Sequence, residues 1–308
     1  MQNFEAFFPA ARFGAVTSIT PITGGLSGAG VYAVATEQGD FFLRLHAPER
    51  EDFSEMAMAQ QSAAAQGIAP EIVLVDEAAR AIVSKKAEGG SFGAALAHPA
   101  VRPLALKNLA ETLGRLHAIP APHMPPFEPT FGETAWDEQK RRDGFPVWAR
   151  ALEVHITAGN AVFEHDPRRV FSHNDVNPAN LIWDGTQVWL VDWERASLAH
   201  PYIDLAIFAL FMNLPDDVAL GLLAVQEASD ISPTQHLSFI ALLNYARAVY
   251  GAIFLRLVPD LTQVKFQTRA ATPTLGECYV RLSKGELNLR TPEGQAMFAA
   301  AILRQATV

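Results

Sequence analysis

Cysteine is almost missing from this chain, which has one, Cys278, among 308 residues. A single thiol excludes an intrachain disulfide and a cysteine-rich metal site. Basic residues are also few, since 24 Lys and Arg face 33 Asp and Glu for a net charge of -9. Because nucleic-acid binders usually carry a basic surface, we predict a protein with no nucleic-acid partner. The acidic balance is compatible with a cationic substrate, and it also keeps many proteins soluble.

Long uninterrupted apolar runs are the third thing the chain has little of. The most apolar late segment, 237–258, is interrupted by Asn244, Arg247 and Arg256, so we interpret it as a buried helix and expect no membrane partner. The first residues include Glu5 and no basic start followed by an apolar run, which predicts no signal peptide and a cytoplasmic location. A chain with 49% hydrophobic and 19% charged residues has the composition of a globular protein with a sizeable core.

The first 86 residues alternate between β-type runs and glycine-containing turns. A helix-forming segment lies at 53–66 and ends at a glycine, as helices often do. The five predicted strands are 15–22, 31–36, 41–46, 72–76 and 81–85. The later sequence is mainly helical in character, with helices predicted over 103–119, within 136–158, and over 203–214.

The most informative stretch is 171–195, which reads F-S-H-N-D-V-N-P-A-N-L-I-W-D-G-T-Q-V-W-L-V-D-W-E-R. It contains a loop and then two β-type runs, 181–183 and 188–191. Asp184-Gly185 between these runs is a strong hairpin signal. We therefore predict a hairpin with polar residues at its open end.

Three oxygen-bearing side chains belong to that end, namely Asp175, Asn180 and Asp192. Two carboxylates and one amide are a natural ligand set for Mg²⁺ together with a phosphate ester, because hard cations prefer oxygen. The sequence therefore predicts a magnesium-phosphate site here.

The pattern H-x-D-x-x-x-x-N, followed by a hydrophobic strand and an aspartate, resembles the catalytic core of protein kinase-like enzymes. The variant H-N-D-x-N-P-x-N-L-I-W with V-D-W-E is similar to the aminoglycoside phosphotransferase and choline/ethanolamine kinase superfamily. The motif is long and ordered, and hence specific. The resemblance implies an α+β, bilobal protein kinase-like fold. Its small N-lobe (1–86) would hold an antiparallel five-stranded sheet and one helix, and its larger C-lobe (87–308) would be mainly helical.

In the N-lobe, the resemblance places the glycine-rich turn 23–30 over the nucleotide phosphates, with Ser27 and Gly28 among its contacts. An ordinary flexible hairpin is the alternative for this turn. Arg44 takes the place of the phosphate-contacting lysine of protein kinases, and Glu55 is its expected ion-pair partner. Glu55 is also simply favourable in the first turn of a helix.

The segment that follows residue 84 is implied to be the hinge that binds adenine, with Lys85 and Ala87 as cofactor contacts. In the C-lobe the resemblance implies that His173 and Asp204 support the catalytic loop. A plain charge at a helix N-terminus is the alternative for Asp204.

The resemblance gives Asp175 the role of catalytic base and gives Asn180 and Asp192 the metal. Candidate substrate contacts are Asn177, Glu194, Trp193 and Tyr245. Asn177 could instead fix the loop. Aromatic residues of a helical lobe form the core more often than a cage for a cation.

We therefore predict an enzyme that uses ATP and Mg²⁺ to phosphorylate the hydroxyl of a small-molecule alcohol. A cationic amino-alcohol such as choline or ethanolamine is the favoured substrate, and aminoglycosides, thiamine and homoserine are alternatives. A nucleotide-binding pseudokinase that serves as a scaffold is the alternative from another class.

Overall fold

The computed structural model describes residues 4–22, 30–121, 123–128, 130–263, 266 and 268–306. The chain divides into two compact units. Unit 1 comprises Met1–Pro125 and Pro178–Ser197, and unit 2 comprises Pro126–Asn177 and Leu198–Val308. These units are defined by contacts within the chain, whereas the predicted lobes follow the resemblance. The lobe boundary after residue 86 stays a prediction.

The strands formed by the described residues belong to three sheets. In chain order they are β1 (Val16–Pro21), β2 (Gly30–Thr36), β3 (Gly39–Leu45), β4 (Ile72–Asp76), β5 (Ala81–Lys85), β6 (Gly90–Ser91), β7 (Val170–Ser172), β8 (Leu181–Trp183), β9 (Val188–Leu190) and β10 (Ser197–Ala199). The first five form one antiparallel sheet with the order β1-β2-β3-β5-β4. This is the five-stranded sheet that the sequence predicts.

Most of the described helices lie after residue 90. In chain order they are α1 (Ala10–Phe13), α2 (Phe53–Ala65), α3 (Phe92–Ala97), α4 (Arg102–His117), α5 (Thr130–Lys140), α6 (Glu153–His165), α7 (Ile203–Phe211), α8 (Asp216–Gln226), α9 (Pro233–Arg256), α10 (Leu275–Ser283) and α11 (Pro292–Gln305). Short 3-10 turns lie at Phe4–Phe7, Val147–Leu152, Pro178–Asn180 and Leu261–Gln263.

The large sheet of unit 1 buries one face and leaves the other accessible. Along β3 the side chains of Phe41, Leu43 and Leu45 are buried, whereas Phe42 and Arg44 between them are half-buried. Successive side chains of a strand point to opposite faces, so this alternation follows directly from the sequence F-F-L-R-L. Arg44 therefore points away from the hydrophobic cluster that Phe41 and Leu43 join.

A second, three-stranded sheet of unit 1 carries the predicted hairpin. It has the order β6-β8-β9, and β8 and β9 pair with Leu181 opposite Leu190. The sequence predicts β8 and β9 but misses β6, whose two residues, Gly90 and Ser91, pair with β8. A two-residue strand has no periodicity of its own, and only its partner defines it.

Unit 2 is organised around α9, against which α5, α6, α7 and α11 pack. Ser232 and Gln235 form a capping box at its start, as expected for a serine followed three residues later by glutamine. By length and composition α9 could cross a membrane, and 61% of its apolar window is buried inside the protein. Between the hairpin and α7, Ser197–Ala199 forms β10 and pairs with β7.

Candidate active site

The predicted site residues are distributed over both units. Unit 2 holds His173, Asp175, Asn177, Asp204 and Tyr245. Unit 1 holds Arg44, Glu55, Lys85, Ala87, Asn180, Asp192, Trp193 and Glu194. Ser27 and Gly28 lie outside the described residues. The convergence of Asp175 with Asn180 and Asp192 stays a prediction, and each set is described below within its own unit.

In unit 2, a buried aspartate holds the backbone of the loop that follows β7. Asp204 is fully buried, and its carboxylate accepts hydrogen bonds from the amides of His173 (3.0 Å) and Asn174 (2.7 Å). These are the contacts that the resemblance leads us to expect of Asp204. A buried carboxylate requires hydrogen-bond donors to offset its loss of water. Hydrogen bonds to a charged acceptor are strong, so these two amide contacts stabilise the loop.

Asp175 itself is half-buried and belongs to a tight local network. Its carboxylate Oδ1 accepts a hydrogen bond from Nδ2 of Asn177 at 2.9 Å, and its amide donates to Nδ1 of His173 at 3.3 Å. Asn177 therefore contacts the predicted base directly, which supports the loop-fixing alternative that the sequence leaves open.

In unit 1, the hairpin register brings Asn180 next to the segment that carries Asp192. Asn180 precedes β8 directly, and its carbonyl accepts a hydrogen bond from the amide of Val191 at 3.0 Å. Asn180 also ends a 3-10 turn that begins at Pro178, where the sequence predicts a plain loop. Proline suits the first position of a helical turn because its missing N–H has no partner there anyway.

The hairpin turn is fixed by Asp184. Its Oδ1 accepts hydrogen bonds from the amides of Thr186 and Gln187, both at 2.8 Å, and its Oδ2 accepts one from the indole of Trp189 at 2.8 Å. Burial alone would raise the pKa of Asp184, but these donors stabilise the carboxylate and lower the pKa to about 2. Gly185 follows with φ 101°, a conformation that glycine adopts without strain.

Asp192 forms an ion pair with Arg44 and adopts an unusual backbone conformation. Nη1 of Arg44 lies 2.8 Å from Oδ1 of Asp192, and both side chains are about a quarter exposed. Asp192 has φ 71°, in the left-handed region that few residues other than glycine adopt. Such backbone conformations persist where the surrounding structure enforces them, and they cluster at functional sites.

The predicted ion pair between Arg44 and Glu55 is therefore corrected. Among the described residues, Arg44 pairs with Asp192, and Oε2 of Glu55 is a buried atom without a hydrogen-bond partner. The physical reason is the alternation along β3, which points Arg44 away from the core to the face where Asp192 follows β9. A role for Glu55 in nucleotide binding stays a prediction.

Sequence reasoning missed a polar group beside Glu194. Arg50 donates to Oε2 of Glu194 at 3.0 Å and also pairs with Asp52 at 2.7 Å. His46 is buried, with Nδ1 at 3.9 Å from Oε1 of Glu194. Burial, and then the positive charge of Arg44, lower the pKa of His46 to about 4, so the ring is neutral at pH 7. No motif marks His46 or Arg50, because both lie in an irregular connection after β3.

Two of the predicted substrate contacts are core residues. Trp193 is 1% exposed, and its indole donates to the carbonyl of Leu190 at 3.2 Å within unit 1. Tyr245 is 2% exposed within unit 2, where burial and then the charge of Glu133 raise its pKa. Neither side chain offers a surface to a substrate in its unit, so we correct both assignments.

The predicted hinge residues lie at and just after the end of β5, an inner strand of the large sheet. Lys85 is exposed and forms an ion pair with Glu71 at 2.6 Å, and Ala87 is half-buried. Gly89 has φ 119°, and a Cβ added there would lie 2.7 Å from the carbonyl carbon of Trp183. Gly89 therefore lets the linker pass close to β8, which no larger residue would allow. Nucleotide contacts of Lys85 and Ala87 stay predictions.

The donor set of unit 1 fits magnesium better than a transition metal. Asn180 and Asp192 offer an amide and a carboxylate oxygen, and no group of three or more His, Cys, Asp or Glu able to hold a metal occurs in the part of the chain that the structure describes. Mg²⁺ is usually bound by one or two protein oxygens together with water and substrate phosphates. The residues present are therefore compatible with a magnesium-nucleotide.

Comparisons with solved structures give the same fold. A choline/ethanolamine kinase family protein from Mesorhizobium loti is similar over 92% of both chains, with 19% identity and a TM-score of 0.65. The choline kinase LicA from Streptococcus pneumoniae is similar over 98% of this chain and 95% of its own, with 14% identity and a TM-score of 0.60. A spectinomycin phosphotransferase in complex with ADP and spectinomycin covers 96% of both chains, with 12% identity and a TM-score of 0.60. These likenesses confirm the predicted protein kinase-like α+β fold.

Comparisons at the level of sequence give the family. A search of curated proteins found no match. The model of a family described as the phosphotransferase enzyme family matches residues 18–237. This match covers more than two thirds of the 308 residues and includes the whole of the H-N-D-x-N-P-x-N motif and its hairpin. The chain therefore belongs to the phosphotransferase enzyme family, and the resemblance of its central motif to these enzymes is confirmed.

Proposed function

We propose that this phosphotransferase uses Mg²⁺ and ATP to phosphorylate the hydroxyl of a small, cationic amino-alcohol of the choline or ethanolamine type. The single observation that carries the reaction type is the loop of unit 2. There Asp175 is held by Asn177, and the preceding amides are held by the buried Asp204. Phosphoryl transfer mainly requires positioning and charge stabilisation, and an ordered carboxylate suits that requirement.

Each residue of the proposed reaction has a role that follows from its chemistry. Asp175 accepts or orients the proton of the substrate hydroxyl. Asn180 and Asp192 would hold Mg²⁺, which supplies positive charge against the phosphates when it is bound. Arg44 donates to phosphate oxygens through its guanidinium, which presents several N–H groups in a fixed geometry.

The acceptor class is supported by charge and by neighbouring folds. The chain carries a net charge of -9, which favours a cationic ligand. Two structures of similar fold are named as a choline kinase and a choline/ethanolamine kinase family protein. With Trp193 and Tyr245 in the core, the half-buried aromatic residues Tyr250 and Phe254 of α9 become the candidates for contacts with an ammonium group.

An aminoglycoside is the second candidate acceptor. The spectinomycin phosphotransferase of similar fold was solved with ADP and spectinomycin, and it covers 96% of this chain. The negative net charge of the chain would also favour such a polycationic ligand. A pseudokinase is disfavoured because Asp175, Asn180 and Asp192 are all retained.

A coupled turnover assay with Mg²⁺ and ATP tests the proposal against a panel of choline, ethanolamine, thiamine, homoserine and aminoglycosides. We expect turnover with an amino-alcohol and its loss in Asp175→Ala, with nucleotide binding retained because only the base is removed. Asp230→Ala, which changes an exposed aspartate of the same unit, serves as the matched control. Full turnover in Asp175→Ala would contradict the role of the base. Nucleotide binding without turnover for the whole panel would favour the scaffold.

A further inference from the structure

The peptide group that joins Asn174 to Asp175 is bound at both of its polar ends within unit 2. Its carbonyl, which belongs to Asn174, accepts a hydrogen bond from the hydroxyl of Tyr250 at 3.2 Å. Its N–H, which belongs to Asp175, donates to Nδ1 of His173 at 3.3 Å. The orientation of this peptide plane sets the direction in which the Asp175 side chain leaves the backbone.

This peptide follows a residue in an uncommon conformation. Asn174 has φ 59°, in the left-handed region, which asparagine tolerates better than most residues. The amide of Asn174 is held by Asp204 at 2.7 Å, so one side of the residue is fixed by that carboxylate. Rotation of the next peptide plane would carry the Asn174 carbonyl away from Tyr250 and would re-aim Asp175. The Tyr250 hydroxyl opposes that rotation.

We propose that Tyr250 is a positioning residue whose hydroxyl fixes the Asn174–Asp175 peptide and thereby the direction of the Asp175 carboxylate. The inference rests on the proposed function, because it requires Asp175 to act on the substrate. It adds a residue of α9, distant in sequence from the H-N-D motif, to the parts on which the reaction depends.

The ring of Tyr250 is itself held in place by α7. It contacts the ring of Phe211 edge to face, with centroids 5.1 Å apart and planes at 84°. Phe211 is the last residue of α7, and Asp204 is the second residue of the same helix. One buried helix therefore supports the loop twice, through a carboxylate at its start and through an aromatic contact at its end.

Tyr250→Phe removes the hydroxyl and keeps the ring, and Tyr279→Phe is the matched control. The Tyr279 hydroxyl also donates to a main-chain carbonyl, that of Phe211, and its side chain is also half-buried. We expect Tyr250→Phe to lower kcat about tenfold or more with nucleotide KM unchanged, because misdirection of a reacting group is costly. Tyr279→Phe should keep the wild-type kcat. A wild-type kcat in Tyr250→Phe would overturn the inference.

A double-mutant cycle with Asp175→Asn separates positioning from a general loss of structure. If Tyr250 acts through Asp175, the residual rate of Asp175→Asn should not fall further when Tyr250→Phe is added. A multiplicative loss would overturn the inference. Hydrogen exchange of the amides at 174 and 175 should become faster in Tyr250→Phe and stay unchanged in Tyr279→Phe; unchanged exchange in both would also overturn it. Full activity of Asp175→Asn would instead refute the proposed function.

Discussion

Gly159→Ala is predicted to destabilise unit 2, and the prediction tests whether Tyr245 is a core residue. Gly159 lies in α6, and a Cβ added to it would be 2.6 Å from both Cβ and Cγ of Tyr245 in α9. Carbon atoms in contact prefer separations of about 3.5–4.0 Å. The Cβ of Tyr245 is attached to the backbone, so no change of rotamer relieves this contact. The two helices would have to move apart.

The size of the effect follows from two opposing terms. Overpacking a well-packed interior costs about 1–3 kcal/mol, and a contact that involves the backbone belongs at the upper end of that range. Alanine in place of glycine inside a helix stabilises it by about 1 kcal/mol. We therefore expect Gly159→Ala to lower the free energy of unfolding by about 2 kcal/mol.

Urea unfolding, analysed for both its midpoint and its slope, measures this change. Gly221→Ala is the matched control, because Gly221 lies in α8 of the same unit and a Cβ added there would meet nothing within 4 Å. The control should be more stable than the wild type by about 0.5–1 kcal/mol. A Gly159→Ala variant as stable as the control would refute the packing argument and reopen the assignment of Tyr245.

Three other changes have definite expected results. Asp204→Asn should lower kcat about tenfold or more in a steady-state assay, because it weakens two charge-assisted hydrogen bonds to the loop. An unchanged kcat would count against a role for Asp204 in supporting that loop. Asp192→Ala should lower the affinity for nucleotide, measured by calorimetry, more in the presence of Mg²⁺ than in the presence of EDTA. An equal loss of affinity under both conditions would contradict a metal-binding role for Asp192. Burial, opposed by Asp166, lowers the pKa of His200 to about 4 from 6.5, so stability should fall as pH drops from about 6.5 towards 4. By urea unfolding the loss at pH 5 should be about 2 kcal/mol, and it should shrink in His200→Asn.

Elements with strong local signals were predicted well from the sequence. β4 and β5 lie where the apolar runs and turns indicated, and Asp184-Gly185 makes the expected hairpin between β8 and β9. In each case neighbouring residues decide the conformation, through turn chemistry or through the alternation of a half-buried strand.

Contacts between distant parts of the chain were harder to predict. Arg44 and Asp192 are 148 residues apart, and only the folded sheet and hairpin of unit 1 bring them together. The burial of Tyr245 likewise depends on Gly159 in another helix, which provides the space for its ring. A glycine in a helix reads as a weak point of that helix, and its packing role becomes visible only with the partner in place.

The amino-acid composition of α7 indicates that this helix contacts the loop that carries Asp175. All nine residues from Ile203 to Phe211 are buried, and Asp204 is the one charged residue among them. A helix that is apolar on every side has to lie in the interior, and a charge placed there requires partners that compensate its loss of water. Backbone amides of an irregular loop are suitable partners, because they lack the hydrogen bonds of a helix or a sheet. A single acidic residue in an otherwise apolar helix thus predicts a loop whose amides donate hydrogen bonds to that residue. In this protein the loop is the one that carries Asp175.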